Sequence, residues 1–202
     1  LAAYIAKQMG LPVGKLVCAS NQNNVLTDFF RQGGVYDRNR PFYTTDSPSM
    51  DILISSNLER LLFYVSGQND ALVAKMMAEL NETGRYEVPA ELRERIAADF
   101  DAGCCDDAET ADTIRRTFER EGYLLDTHTA VAVKVYEDYR ARTGDMTPVV
   151  IASTASPFKF CGPVAAALGK TVDTASVSQL SELSALTGVA APAPLAALAD
   201  KT

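Results

Sequence analysis

The stretch that decides the fold class is Lys15-Leu-Val-Cys-Ala-Ser20-Asn-Gln-Asn-Asn24, followed by the segment from Val25 to Gln32. Its first six residues form a short apolar run between Gly14 and a group of amide side chains, which predicts a buried strand. The asparagines are suited to cap a helix, and Gly33-Gly34 is suited to end it, so the segment after them is predicted to be helical. A strand that leads directly into a helix is typical of α/β proteins with parallel strands.

Outside this stretch the sequence predicts mostly helices. Leu58, Leu61, Leu62 and Val65 recur at helical spacing, behind a capping-box pair formed by Ser56 and Glu59, and this pattern predicts an amphipathic helix that faces the core. The other predicted helices cover residues 1–10, about 70–80, about 90–100, about 107–121, 126–139 and 157–168.

Three segments between these helices are predicted to be non-helical. The aromatic, proline-containing stretch from Val35 to Ser49 is predicted to be a long loop. The segment from Asp99 to Glu109 is rich in carboxylates, but its spacing does not match a calcium-binding loop, so Asp106 and Glu109 are expected to cap the next helix. Val149-Val-Ile-Ala152 is predicted to be a second buried strand.

Composition and charge exclude several classes of protein. The chain has 202 residues, of which 47% are hydrophobic, and it carries a formal net charge of −7. This size supports a core without disulfides, and the acidic balance disfavours a nucleic-acid or anionic-membrane partner. No apolar run approaches the roughly 20 residues that a membrane span requires. Four cysteines without a paired spacing predict reduced thiols in the cytoplasm, and a single histidine argues against a metal site.

Two polar segments follow the predicted strands, at Ala19 to Asn24 and at Ser153 to Ser156. In an open parallel sheet, ligands bind beyond the carboxyl ends of the strands, where helix N-termini favour small anions. The same residue types also cap helices and close turns, and spacing alone leaves both interpretations open. His128 lies on the inner face of its predicted helix, which favours a hydrogen-bonded core residue over a catalyst. Lys159 is interpreted as a surface lysine.

Five groups of segments, taken together, resemble the bacterial and fungal threonine synthase family, which consists of pyridoxal-phosphate enzymes of the tryptophan-synthase-β type. They follow one another in the family's order and rough spacing. They are Lys7–Val13 with Lys15–Leu26, Ser47–Ile52 with Ser56–Leu62, Asp126-Thr-His-Thr-Ala130, Ser153-Thr-Ala-Ser-Pro-Phe-Lys-Phe160, and Pro192-Ala-Pro-Leu195.

The resemblance implies an α/β fold, as part of the parallel-sheet, three-layer domain of fold type II pyridoxal-phosphate enzymes, with this segment predominantly helical. Residues 1–170 would then be the C-terminal part of the catalytic fold, with a helical segment at about 57–122. Residues 171–202 would be a C-terminal tail with a short helix near residues 192–198. An alternative with no enzymatic role is an α/β small-molecule-binding or interaction module. A generic nucleotide-binding domain is disfavoured because neither of the common Gly-rich phosphate-binding motifs occurs.

The resemblance also implies a reaction and a set of site residues. The family converts O-phospho-L-homoserine and water to L-threonine and phosphate, with the pyridoxal-phosphate ring as electron sink. The threonine of its Ser-Thr-Ala motif approaches the pyridine nitrogen, and Thr154 matches it. Ser47, Ser49, Asp51 and Asn57 match the motifs expected on the substrate side.

The sequence also departs from the family pattern. Thr127 replaces a common proline and Ser156 replaces a common histidine, and both changes bear on the loop near Thr154. The Schiff-base lysine and the Gly-rich phosphate turn precede the position of Leu1 in the family. By this resemblance the chain is the C-terminal half of such an enzyme, and it is expected to be inactive alone. We also expect it to self-associate through an exposed sheet edge and apolar faces.

Overall fold

The computed structural model describes residues 1–198 and shows a mostly helical α/β chain. Its strands are β1 Leu16–Ser20, β2 Val35–Asp37, β3 Arg85–Glu87 and β4 Phe100–Cys104. Its helices are α1 Ala2–Gln8, α2 Val25–Arg31, α3 Ser56–Val65, α4 Asp70–Thr83, α5 Ala90–Asp99, α6 Asp107–Glu121, α7 Thr127–Thr143, α8 Cys161–Ala167, α9 Gln179–Thr187 and α10 Ala193–Ala196.

Two small sheets organise these elements. β1 and β4 form a parallel pair in which Leu16 lies opposite Phe100 and Ser20 opposite Cys104. β2 and β3 form a short antiparallel pair. The carboxyl ends of β1 and β4 therefore lie side by side, and the turns that follow them emerge at one edge of the parallel sheet.

The prediction for residues 99–109 was wrong in its first half, because β4 occupies that part of the acidic segment. Ala102 and Gly103 are buried within the strand. Asp101 lies beside them and forms an ion pair with Arg142 at 2.7 Å. An acidic residue is tolerated in this strand because its carboxylate points to a partner on α7 rather than into the core.

The prediction of a buried strand at Val149–Ala152 was also wrong. The segment forms no regular secondary structure and pairs with no strand among residues 1–198. Val150 is 96% exposed. Apolar β-branched residues favour extended backbone, whereas burial requires a neighbouring strand, which the described part of the chain does not provide.

Most helix predictions are confirmed, with corrections at their ends. The cap of α3 is Ser55 rather than Ser56, since the Ser55 side chain accepts the Leu58 N–H. Asp106 and Glu109 form the predicted capping box at the start of α6. The predicted long loop after α2 contains β2, because Tyr36 is buried against β3. The helix predicted for residues 157–168 is a 3₁₀ turn, Pro157–Lys159, followed by α8.

The core divides into two main clusters and a small third one, in which α7 packs on the parallel sheet. The first cluster joins α1 to α5 with β1 to β3, and Phe29, Leu62 and Val88 in it are fully buried. The second joins α6 to α9, and includes Leu183 of α9, which packs residues 179–187 against the rest of the chain. Residues 199–202 of the predicted tail lie outside the described residues.

None of the helices within residues 1–198 is long and apolar enough to cross a membrane. The same residues contain no cluster of three or more His, Cys, Asp or Glu side chains that is suited to bind a metal ion.

Candidate functional site

The asparagine turn after β1 is the centre of a buried polar network. Asn21 is 1% exposed. Its amide nitrogen lies 2.7 Å from Asp51 Oδ1, 2.8 Å from Thr45 Oγ1 and 3.1 Å from Ser47 Oγ. Its amide oxygen accepts the Asn23 N–H at 2.9 Å. The turn therefore holds the loop of residues 45–51 against the carboxyl end of β1.

Asp51 anchors the other end of this loop. Its Oδ1 accepts from Thr45 Oγ1 at 2.7 Å and from Asn23 Nδ2 at 3.0 Å, and its Oδ2 accepts the Thr45 N–H at 3.0 Å. Ser47 is fully buried in the same network. Since the polar atoms of Ser47 and Asp51 are used within the protein, their geometry fits a role in shaping the loop.

Ser49 differs from these neighbours, because its side chain is exposed while its backbone is fixed. The Ser49 N–H donates to Nε2 of His128 at 3.0 Å. His128 belongs to the first turn of α7, and its ring packs on that of Phe160 with centroids 4.8 Å apart. The expectation that His128 is a buried, hydrogen-bonded residue is confirmed.

The first turn of α7 is organised by Asp126. The Asp126 carboxylate accepts the backbone N–H groups of His128 and Thr129 and also the Thr129 hydroxyl. Burial raises the pKa of Asp126, but the hydrogen bond with the His128 side chain, together with those just named, outweighs burial, and the net shift of the pKa is downward. The carboxylate is therefore ionised at neutral pH and caps the helix strongly.

The same helical turn contacts the segment that carries Thr154. The hydroxyl oxygens of Thr129 and Ser153 lie 3.0 Å apart, within hydrogen-bond distance. Thr154 follows Ser153 and is exposed. A continuous series of hydrogen bonds thus leads from the end of β1, through the Ser47–Asp51 loop and α7, to the Ser-Thr-Ala segment.

Asn57 is not part of this series. It lies exposed in the first turn of α3, where its side-chain oxygen accepts from Arg60. It lines an apolar groove beside β1, together with Cys18 and Leu61. No hydrogen bond among residues 1–198 joins Asn57 to the network around Asn21.

Cys18, Cys105 and Lys159 do not add a nucleophile to the network. Burial raises the pKa of both Cys18 and Cys105 to about 11, so these thiols are protonated at neutral pH. Lys159 is exposed, as expected for a surface lysine.

Two residues of the network lie in segments that the sequence singled out, although the individual role of each was not predicted. Asn21 is the hub of the first loop, and the signal for it was the density of amides directly after an apolar strand. Thr129 connects α7 to Ser153, and no local pattern distinguishes its hydroxyl from that of an ordinary helical threonine. Both contacts join segments far apart in sequence, which spacing rules do not reach.

Comparisons with known proteins show which family this chain resembles. Residues 129–200 match the family model described as "Threonine synthase, C-terminal". The threonine synthase of Saccharomyces cerevisiae is 39% identical over 182 residues, which cover 83% of this chain and 35% of that protein. The chain is homologous to the threonine synthases.

Two further similarities extend this result. A human protein named threonine synthase-like 1 is 43% identical over 182 residues, which cover 89% of this chain. The crystal structure of a pyridoxal-phosphate-bound threonine synthase from Brucella melitensis superposes with a TM-score of 0.81 at 37% identity, and it covers 98% of this chain. The parallel-sheet α/β fold expected from the resemblance is thus confirmed.

The chain spans only part of these relatives. It corresponds to 24% of the human threonine synthase-like 1, to 35% of the yeast threonine synthase and to 38% of the Brucella chain. The activity, substrate and partners of a whole threonine synthase therefore do not follow from this chain alone.

The residues near Thr154 fit one side of a pyridoxal-phosphate site. A pyridine nitrogen requires a neutral hydrogen-bonding group or a carboxylate, and Thr154 presents a neutral hydroxyl at an exposed position. Its segment is held in place through Ser153 and Thr129. The chemistry of this hydroxyl is thus compatible with the ring side of the cofactor.

Proposed function

We propose that this chain is the C-terminal part of a pyridoxal-phosphate-dependent threonine synthase. The proposed reaction converts O-phospho-L-homoserine and water to L-threonine and phosphate. The observation that carries the proposal is the fold match to the Brucella threonine synthase, with a TM-score of 0.81 over 98% of this chain. The 39% identity to the yeast threonine synthase supports the same reaction.

Within this proposal, Thr154 holds the pyridine nitrogen of the cofactor. When bound, the cofactor supplies an electron sink for carbanionic intermediates of the amino-acid substrate. Ser49 contacts the substrate, because its side chain is the exposed one among the serines of the Ser47–Asp51 loop. Ser47 and Asp51 hold that loop through Asn21. Asn57 borders a separate groove, and its expected contact with the substrate stays a prediction.

The proposal extends to the organisation of the protein. Residues 1–170 belong to a fold type II catalytic domain, and residues 171–202 form its C-terminal tail. The Schiff-base lysine is contributed by residues outside this chain, since none of the lysines here lies in the family's cofactor-lysine motif. A cytoplasmic location fits an amino-acid biosynthetic enzyme with four free cysteines.

Phosphate release from O-phospho-L-homoserine tests the proposal in the complete gene product that contains residues 1–202. With pyridoxal phosphate added, we expect the complete protein to release phosphate and residues 1–202 alone to release none. Thr154→Val should weaken cofactor binding about fivefold, which corresponds to the loss of one hydrogen bond of roughly 1 kcal/mol. Thr154→Ser keeps the hydroxyl and is the matched control.

Other outcomes of this assay have definite meanings. Phosphate release by residues 1–202 alone would contradict the proposal that the anchoring lysine lies outside this chain. A complete protein that binds pyridoxal phosphate but releases no phosphate would exclude threonine synthase activity. A complete protein that binds neither cofactor nor substrate would favour a non-enzymatic α/β module. The 43% identity to threonine synthase-like 1, a protein with a different name, makes the second outcome worth distinguishing.

A further inference from the structure

The contact between His128 and Ser49 joins two of the segments that carry the site. Ser49 lies in the exposed loop of residues 47–51, and His128 lies 79 residues later in the first turn of α7. The Ser49 N–H and the His128 Nε2 are 3.0 Å apart. The histidine side chain is only 10% exposed. The hydrogen bond between Ser49 and His128 is therefore largely shielded from solvent, although Ser49 itself belongs to a surface loop.

The direction of this hydrogen bond determines which nitrogen of the ring carries the proton. A backbone N–H can only donate, so Nε2 must accept and carries no proton. The neutral ring consequently has its proton on Nδ1. Nδ1 lies 3.3 Å from Thr127 Oγ1 and 3.4 Å from Asp126 Oδ1, and both oxygens are suited to accept it.

The rest of the surroundings fixes the ring in this orientation. Phe160 packs on one side of the imidazole, at a centroid distance of 4.8 Å. Asp126 holds the backbone of the same turn through the N–H groups of His128 and Thr129. Nε2 is thereby presented at a fixed point opposite the Ser49 backbone.

The hydrogen bond to His128 fixes the middle of the loop of residues 47–51. Its two ends are fixed by the Asn21 network, which uses Ser47 and Asp51. Ser49 lies between them and makes no side-chain contribution to that network. Ser49 also belongs to the 3₁₀ turn Pro48–Met50, in which the Met50 N–H donates to the Ser47 carbonyl oxygen at 2.9 Å. The hydrogen bond to His128 is the contact that ties this turn to α7 and so fixes the direction in which the Ser49 side chain leaves the backbone.

We infer that His128 is a positioning residue, which fixes Ser49 through Nε2 so that the serine hydroxyl is pre-oriented for the phosphorylated amino-acid substrate. This inference rests on the proposed function for its substrate. It assigns no proton transfer to His128. The loop requires a hydrogen-bond acceptor at the position of Nε2, and any side chain that places an acceptor there should replace the imidazole.

Two substitutions of equal chemistry but different length test the inference in the complete gene product. His128→Gln places an amide oxygen near the position of Nε2, whereas His128→Asn places it near the position of Nδ1. We expect hydrogen exchange at the Ser49 amide to accelerate about tenfold in the Asn variant, as for the loss of one hydrogen bond, and to stay near the wild-type rate in the Gln variant. Thr129→Val, in the same turn, should leave the Ser49 amide unchanged.

Kinetics with O-phospho-L-homoserine give a second readout. We expect the Asn variant to raise KM about tenfold, with a small change in kcat, and the Gln variant to restore KM, because only the position of a binding group changes. Equal exchange at Ser49 in both variants and the wild type would overturn the inference. The inference would also be overturned if exchange at the Ser49 amide accelerated in His128→Gln, His128→Asn and Thr129→Val alike, in proportion to a general fall in melting temperature. A wild-type protein without phosphate release but with the expected exchange pattern would refute the proposed function while leaving the positioning by His128 intact.

Discussion

Asp126 is the residue on which the first turn of α7 depends. Its carboxylate is 1% exposed and accepts hydrogen bonds from the backbone and side chain of the turn it caps. A buried carboxylate with this many donors is a strong cap, since it compensates free N–H groups and the helix dipole together. Both His128 and Thr129 take their orientation from it.

Asp126→Asn is expected to lower the free energy of unfolding at neutral pH by about 1–3 kcal/mol, because a charged acceptor of several hydrogen bonds is lost. The net pKa of Asp126 is lowered in the folded protein, despite the opposing effect of burial. The ionised Asp126 carboxylate therefore contributes its full stabilisation of the folded state above a pH of about 4. This stabilisation is lost as the pH falls through the pKa that Asp126 has in the folded protein. Urea unfolding at neutral and acidic pH measures both effects.

The sign of the pH effect is the decisive part of this experiment. The difference between wild type and Asp126→Asn should shrink as the pH decreases below about 4. Asp70→Asn, at an exposed first-turn position of α4, is the matched control and should change stability little. A difference that grows in acid would show that Asp126 is not held in its ionised form.

At the residue scale, the sequence indicated the segments of the site, but not which residues within them are exposed and which hold the loop in place. Ser47, Ser49 and Asp51 were grouped by their motif. The structure separates Ser49, with its exposed side chain, from the buried network of the other two. This division depends on Asn21, whose amide reaches residues 24 to 30 positions away. Local spacing carries no signal for such contacts.

At the scale of elements, the packing of β4 on α7 depends on a glycine. A Cβ added at Gly103 would lie 2.8 Å from Val135 Cγ1, inside van der Waals contact. Val135 is 2% exposed and belongs to the small apolar cluster between the parallel sheet and α7. The strand and the helix therefore approach more closely than a side chain at this position would permit.

Gly103→Ala is expected to lower the free energy of unfolding by about 1–3 kcal/mol, since it overpacks a filled interface. Thermal or urea unfolding measures this change. Combining it with Val135→Ala should cost less than the sum of the two single substitutions, because the smaller side chain makes room.

Gly14→Ala is the matched control, because a Cβ there has no neighbour within 4 Å. We expect that substitution to leave stability nearly unchanged. Full additivity of Gly103→Ala and Val135→Ala would contradict the predicted contact between them.

The strands were the elements that sequence patterns predicted least well. Helices are specified by local periodicity and caps, as at Asp106 and Glu109, and their predicted positions hold to within a few residues. A strand depends on the neighbour it pairs with. Phe100–Cys104 becomes β4 because β1 lies beside it, despite an acidic sequence. Val149–Ala152 has the apolar pattern of a strand and finds no such neighbour within residues 1–198.

At the scale of the whole molecule, this exposed apolar segment favours association. Val150 is 96% exposed and Val149 is 45% exposed. Within the described residues, β1 and β4 also have only one hydrogen-bonded neighbour each, which leaves an open edge on either side of the parallel sheet. Residues 1–202 alone therefore present both an unpaired apolar segment and unpaired strand edges.

We expect residues 1–202 to self-associate as their concentration rises, and Val150→Asp to reduce this association without lowering the melting temperature, because a charge replaces exposed apolar surface. Sedimentation velocity over a wide concentration range measures the effect. Thr147→Asp adds the same charge nearby without removing an apolar side chain, and should reduce association less. A single monomer boundary for the wild type at all concentrations would disprove the expectation.

The contacts that assemble the site also determine when it forms during folding. Ser49 and His128 are 79 residues apart, and the strand pair joins Leu16 to Phe100. The helices between Ser49 and His128, α3 to α6, are stabilised by local turns and are expected to form early. Closing such long loops costs conformational entropy, which only the completed core offsets. The site is therefore expected to form late in folding, and a nascent chain contains all of its hydrogen-bonded segments only after residues 153–155 have been synthesised.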